Sequence, residues 1–150
     1  LKQAHPYEEV AFDIYTLNNP HHKIGAGMIG NLQNAMDAKD FLQGIKNILH
    51  IGCIRHTELK NKKVQRVAVC GGSGSFLIKD AMNCGADIYL TGDIKYHDFF
   101  LPGDAMILAD IGHYESEQFT KELIYTLLKK KFTTFALFIS GSNTNPVNYL

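Results

Sequence analysis

The sequence predicts an α/β fold, a mostly parallel sheet with flanking helices. Three observations carry that prediction. From Val64 onward, short apolar runs alternate with stretches of helical periodicity, the pattern of repeated strand–helix–strand units. Each apolar run ends in a loop of Gly, Ser or Asp residues, as strand ends do in open sheets. The 150 residues, 45% of them hydrophobic and 20% charged, suffice for one buried core.

The elements follow in chain order. Val10–Tyr15 combines β-forming residues with partial alternation and reads as a strand reaching Leu17. Asn18-Asn19-Pro20-His21-His22 is a polar break of linker character. Residues 25–32 are glycine-rich and read as irregular. Asp37 to His50 spaces Ala38, Phe41, Leu42, Ile45, Ile48 and Leu49 for one face of a helix, with Asp37 as N-cap. Val64–Cys70 is a buried strand, Gly71–Ser75 a turn, and Phe76–Asn83 a helix closed by Gly85. Asp87–Thr91 and Met106–Asp110 are further strands, separated by a mixed stretch interrupted at Pro102-Gly103. Ser116 opens a long helix with an apolar stripe of Phe119, Leu123, Ile124, Leu127 and Leu128. Its last turn holds Lys129-Lys130-Lys131, where positive charge suits the carbonyl end. Phe135–Ile139 is the expected final strand.

Composition excludes several function classes. Fifteen basic residues balance fifteen acidic ones, so bulk charge draws the chain neither to nucleic acid nor to an anionic membrane. No apolar run approaches the roughly 20 residues that span a bilayer. The three cysteines, Cys53, Cys70 and Cys84, lack C-x-x-C spacing and point to buried thiols in a reducing, cytoplasmic setting.

The chemistry is expected where three strand-end loops meet. The first, Gly72-Ser73-Gly74-Ser75, offers backbone N–H groups as an anion or cofactor cradle, and equally reads as a tight turn needing small residues. The second carries Asp93 and His97. Asp93 reads as a turn or cap residue or as part of a site; His97 reads as a general base or an outer partner. The third runs from Asp110 through Gly112 into His113-Tyr114-Glu115-Ser116-Glu117. His113 and Glu117 lie one helical turn apart, so an imidazole and a carboxylate share a face and offer nitrogen and oxygen to a divalent metal. Gly25-Ala26-Gly27-Met28-Ile29-Gly30 matches the letters of a dinucleotide fingerprint, but no acidic residue follows at the right distance. His21-His22 reads as solvated linker, since adjacent residues on extended chain point apart.

Together these segments resemble a known family, the NGG-interacting-factor-three-like proteins, also called GTP cyclohydrolase I type 2 homologs. The likeness is carried by His5-Pro6-Tyr7-Glu8-Glu9, Gly25–Gly30, Val67–Ser75, Gly85–His97, Gly112–Glu117 and Asn143-Thr144-Asn145-Pro146-Val147. The resemblance implies two divalent metal ions, zinc or iron, between two α/β lobes, in a ring-shaped hexamer. Of the implied ligands, His113 and Glu117 map onto this chain. The resemblance also implies that residues 1–20 are the terminal strand and linker of a PII- or CutA-like insert domain. Residues 21–150 would then be the C-terminal metal-binding lobe of a longer protein. On that reading the isolated chain binds metal weakly or not at all.

The leading expectation is a metal-dependent hydrolase-like protein acting on a small, nucleotide-like substrate, with Asp93, His97 or Asp110 orienting or deprotonating a water. A non-catalytic metal-binding regulatory or interaction module is the alternative. A nucleotide sensor built on the glycine–serine loop is the third reading.

Overall fold

A computed structural model of the chain describes residues 3–7, 9–16, 24–59 and 62–150. Among these residues five strands form one sheet: β1 (Met28–Asp37), β2 (Arg55–His56), β3 (Lys63–Ser73), β4 (Ile88–Gly92) and β5 (Ile107–Asp110). Their order across the sheet is β1-β3-β4-β5-β2. The β3–β4 and β4–β5 pairs are parallel, whereas β1–β3 and β5–β2 are antiparallel. The mostly parallel sheet is therefore corrected to a mixed one, a parallel centre with an antiparallel strand on each edge. Both edge strands escaped the periodicity. β2 is only two residues long. β1 is rich in Gly, Asn and Gln, and pairing with β3 holds it in place of side-chain preference.

The central strands are buried on both faces, which divides the core in two. Ile88, Leu90, Ile107 and Ala109 point to the side covered by α1 (Ala38–Ile48), where they meet Phe41 and Leu42. Tyr89 and Leu108 point the other way, to Ile78 and Ala81 of α2 (Ile78–Asn83). Alternation along each strand thus feeds two layers of helix. Burying a side chain such as Ile107 or Leu108, each 0% exposed, contributes about 1.5–3 kcal/mol. Asp37 caps α1 as its sequence position predicts, its carboxylate accepting the Lys39 N–H at 2.9 Å. Asp87 accepts the N–H groups of Gln65 and Arg66 at 2.8 and 2.7 Å, fastening the start of β3 beside β4.

Other expectations are revised. The turn expected at Gly71–Ser75 begins later: β3 runs on through Gly71, Gly72 and Ser73, and a 3-10 turn over Ser75–Leu77 leads into α2. No strand forms over Val10–Thr16, whose residues are largely exposed; Leu17 and the His21-His22 pair lie outside the described residues. Phe135–Ile139 is likewise not a strand. Both sides of β5 are taken by β4 and β2, and Phe135 and Phe138 are exposed.

The long helix also divides, into α3 (His113–Glu117) and α4 (Thr120–Lys131). At the junction the Gln118 amide donates to the carbonyls of Leu49 and Glu115 at 2.8 and 3.1 Å, pinning the chain to the end of α1. α3 packs on β3 and β4. α4 does not pack on the sheet as expected: none of its residues is buried, and its apolar stripe faces outward. Among the described residues, no helix is long and apolar enough to cross a membrane.

Candidate metal-binding site

The carboxyl ends of β4 and β5 lie side by side, with Thr91 paired to Asp110. The residues that follow them therefore emerge together. Asp93 stands just past β4 with φ +55°, an uncommon left-handed conformation for a residue with a Cβ. Gly112, with φ +86°, turns the chain from β5 into α3. These two turns bring Asp93 and His113 into contact: His113 Nδ1 lies 2.6 Å from Asp93 Oδ2. On the other side of the ring, Nε2 is 3.4 Å from Glu117 Oε2.

Both carboxylates favour the imidazolium, so His113 titrates above its ordinary value of 6.5. The hydrogen bond to Asp93 is the largest cause, and slight desolvation opposes it. All three side chains are about half exposed. With Nδ1 held by a carboxylate, the neutral ring carries its proton there and presents Nε2 as a lone pair, the arrangement that orients metal-binding histidines. The donor spacing fits a metal as well. Two ligands at roughly 2.0–2.2 Å from one ion at a tetrahedral angle stand roughly 3.4 Å apart, and Nε2 and Oε2 are separated by 3.4 Å. Among the described residues, no group of three or more His, Cys, Asp or Glu side chains converges on a complete ligand set. The donors fit one side of a metal site.

Glycines make room for this arrangement. A Cβ on Gly72, which has φ +63°, would lie 2.5 Å from Glu117 Oε1 and 3.4 Å from His113 Cε1. A Cβ on Gly92 would strike backbone, 2.8 Å from the His113 nitrogen and 2.9 Å from its Cα. Ser116 completes the seating of α3: its Oγ accepts the Gly72 N–H at 2.8 Å and donates to the His113 carbonyl at 2.7 Å. Elsewhere in the glycine–serine loop, the Gly72 carbonyl accepts from Thr91 and the Gly74 carbonyl from Tyr89, at 3.1 and 2.8 Å. Burial raises the Tyr89 phenol far above its ordinary pKa, so it stays a neutral donor.

The remaining candidates are placed as follows. Asp110 is 5% exposed and both its oxygens accept hydrogen bonds, from Ile94 and Gly112 N–H groups at 3.0 Å each and from the Arg55 guanidinium. His97 is exposed on the 3-10 turn Tyr96–Phe100, its ring edge-on to Tyr96, and does not line the cavity that Asp93 and His113 border. Asp93, Asp110, His113 and Glu117 all border one cavity of about 920 Å³, within the usual range of ligand pockets. Its far wall is the C-terminal stretch around Asn145 and Tyr149. There the Asn145 amide lies 3.4 Å from Glu115 Oε1, and burial together with Glu115 raises the Tyr149 phenol pKa. Sequence reasoning missed Arg55, Gly92, Glu115 and Tyr149. Arg55 and Tyr149 are remote in sequence from the strand-end loops, and no local pattern marks them; Gly92 and Glu115 lie inside the strand-end segments, where the spacing alone marks no role for them.

The family model for Duf34/NIF3 (NGG1p interacting factor 3) matches residues 2–146, and the chain belongs to that family. A Bacillus subtilis protein named GTP cyclohydrolase 1 type 2 homolog is 37% identical over 99% of the chain and 41% of its own length. A Staphylococcus aureus protein of the same name is 39% identical over the whole chain and 42% of its own length. The chain therefore spans about two-fifths of these relatives. Among solved structures, Staphylococcus aureus protein SA1388 superposes with TM-score 0.76 and 33% identity, over 99% of this chain and 50% of that one. A Bacillus cereus protein related to NIF3 gives TM-score 0.72 and 33% identity, over 99% and 42%.

Proposed function

We propose that this member of the Duf34/NIF3 family supplies one side of a divalent-metal site serving hydrolase-like chemistry on a small, nucleotide-like substrate. The observation that carries the proposal is the His113 ring, with Nδ1 taken by Asp93 and Nε2 left beside Glu117 on the wall of a ligand-sized cavity. The name shared by the relatives, GTP cyclohydrolase 1 type 2 homolog, supports the substrate class.

In this reading His113 Nε2 and a Glu117 oxygen are ligands, and Asp93 fixes the ring tautomer and strengthens its donor nitrogen. When bound, a divalent ion such as zinc supplies Lewis-acid polarisation and a strong nucleophile at neutral pH. A catalytic zinc usually takes three protein ligands, so a complete site needs a donor beyond this pair. Glu115, Tyr149 and Asn145 border the same space and offer hydrogen-bonding groups to a polar substrate.

The test is metal titration of the chain with zinc or cobalt, coupled to a screen of GTP and related cyclic-amide or phosphoester substrates. His113→Ala and Glu117→Gln are each expected to remove whatever binding the unaltered chain shows, whereas His21→Ala leaves it unchanged. Metal binding that survives both site substitutions would refute the proposal.

A further inference from the structure

We infer that Asp110 is the positioning residue of this site, a buried carboxylate that clamps the backbone on both sides of the Asp93–His113 pair. The inference deepens the reading of His113 as a metal ligand and rests on it for its purpose, but the clamp itself is a matter of backbone geometry.

Oδ2 accepts the N–H of Ile94, the residue after Asp93, and Oδ1 accepts the N–H of Gly112, the residue before His113, both at 3.0 Å. One side chain thus bonds to the neighbour of each partner. Both joints need holding, because Asp93 and Gly112 have positive φ, a region sparsely populated by residues with a Cβ even though aspartate tolerates it better than most. A third donor, the Arg55 guanidinium from edge strand β2, reaches Oδ2 and also donates to the Ile94 carbonyl at 2.9 Å. Arg55 therefore braces the same loop from the sheet edge, its guanidinium 5.5 Å from the centre of the Phe99 ring. Three donors converge on this one buried side chain. Its oxygens are committed to the loops, so Asp110 acts through Asp93 and His113 and not on a substrate.

Asp110→Asn replaces one acceptor with a donor that faces an N–H group or the guanidinium, and the clamp must open on at least one side. The readout is the pair of ring-nitrogen resonances of His113, recorded by ¹⁵N NMR without metal at alkaline pH, where the ring is neutral. In the unaltered protein one nitrogen is protonated and one is not, so the two signals stand well apart. In Asp110→Asn they are expected to converge, as the tautomers begin to exchange. Ile107→Val, which trims a fully buried core residue, lowers stability but keeps the signals apart. Convergence in Ile107→Val equal to that in Asp110→Asn would overturn the inference, as would unchanged separation in Asp110→Asn. If Asp110→Asn does not fold, amide hydrogen exchange in the unaltered chain decides. Slow exchange at Ile94 and Gly112 supports the clamp, and exchange as fast as in open loops overturns it. Zinc titration of His113→Ala separates this result from the metal reading. Tautomer loss in Asp110→Asn with zinc binding indifferent to His113→Ala would leave the clamp standing and remove its metal-binding purpose.

Discussion

Gly92→Ala is a sharp mechanical test of how α3 is seated. The added methyl would meet the His113 nitrogen at 2.8 Å, its Cα at 2.9 Å and the Gly112 carbonyl carbon at 3.0 Å. All three are backbone atoms, so no side chain can swing aside. Ordinary contact begins at 3.4 Å, so the first residue of α3 must retreat by about 0.6 Å. Added to the 2.6 Å contact between His113 Nδ1 and Asp93, that retreat approaches the outer limit of a good hydrogen bond, about 3.2 Å. Overpacking of this kind costs about 1–3 kcal/mol. At about 2–4 °C per kcal/mol for a chain of this size, the melting temperature should fall by about 2–12 °C. Thermal unfolding by circular dichroism reads the first effect, and the His113 ring resonances read the second. A Gly92→Ala protein that melts with the parent and keeps its ring signals would show that α3 is not pressed against β4 as described.

Three further outcomes are expected. Gly44 lies inside α1 with nothing beyond its own helix within 4 Å of where a Cβ would stand, so Gly44→Ala should stabilise by about 0.5–1 kcal/mol, and a loss of stability in chemical denaturation would contradict that environment. Because Asp93 raises the His113 pKa in the folded state, their pairing contributes fully below the unfolded value and fades as pH rises through the raised one; Asp93→Asn should flatten the stability–pH curve across that window, and an unchanged curve would deny the pairing. Leu127, 57% exposed on α4, should accept Leu127→Gln within about 0.5 kcal/mol, whereas a multi-degree drop in melting temperature would mean that the helix is covered.

The centre of the fold was legible because β4 and β5, buried on both faces, form continuous apolar runs, and β3 carries the short apolar run Val67–Cys70 beside them. Adjacent parallel strands then force Asp93 and His113 together, which is why loops 20 positions apart could be paired by reasoning alone. The edges were not legible. β1 draws its stability from backbone pairing with β3, and β2 is too short to show a period. The stripe on α4 predicted burial because amphipathic spacing reports that a helix has an apolar face, not what covers it. Asp110 stood out as an acidic residue at a strand end, which chemistry and architecture use alike. Only its three donors separate the two uses. Arg55 could not have been joined to it from the sequence, since β2 pairs with β5 across more than 50 intervening positions.

The uncovered α4 also bears on how the molecule breathes. A helix of 12 residues with none buried lacks the packing that normally sustains so short a segment. Its amides should open on their own, at free energies well below that of global unfolding. The gradient should stop at Gln118, whose side chain is anchored to Leu49, and at Ser116, which is bonded to Gly72. α3 then belongs to the slowly exchanging unit of the central sheet, although it is the shorter helix. His113 and Glu117 would hold their places while the polypeptide immediately beyond them unravels and re-forms.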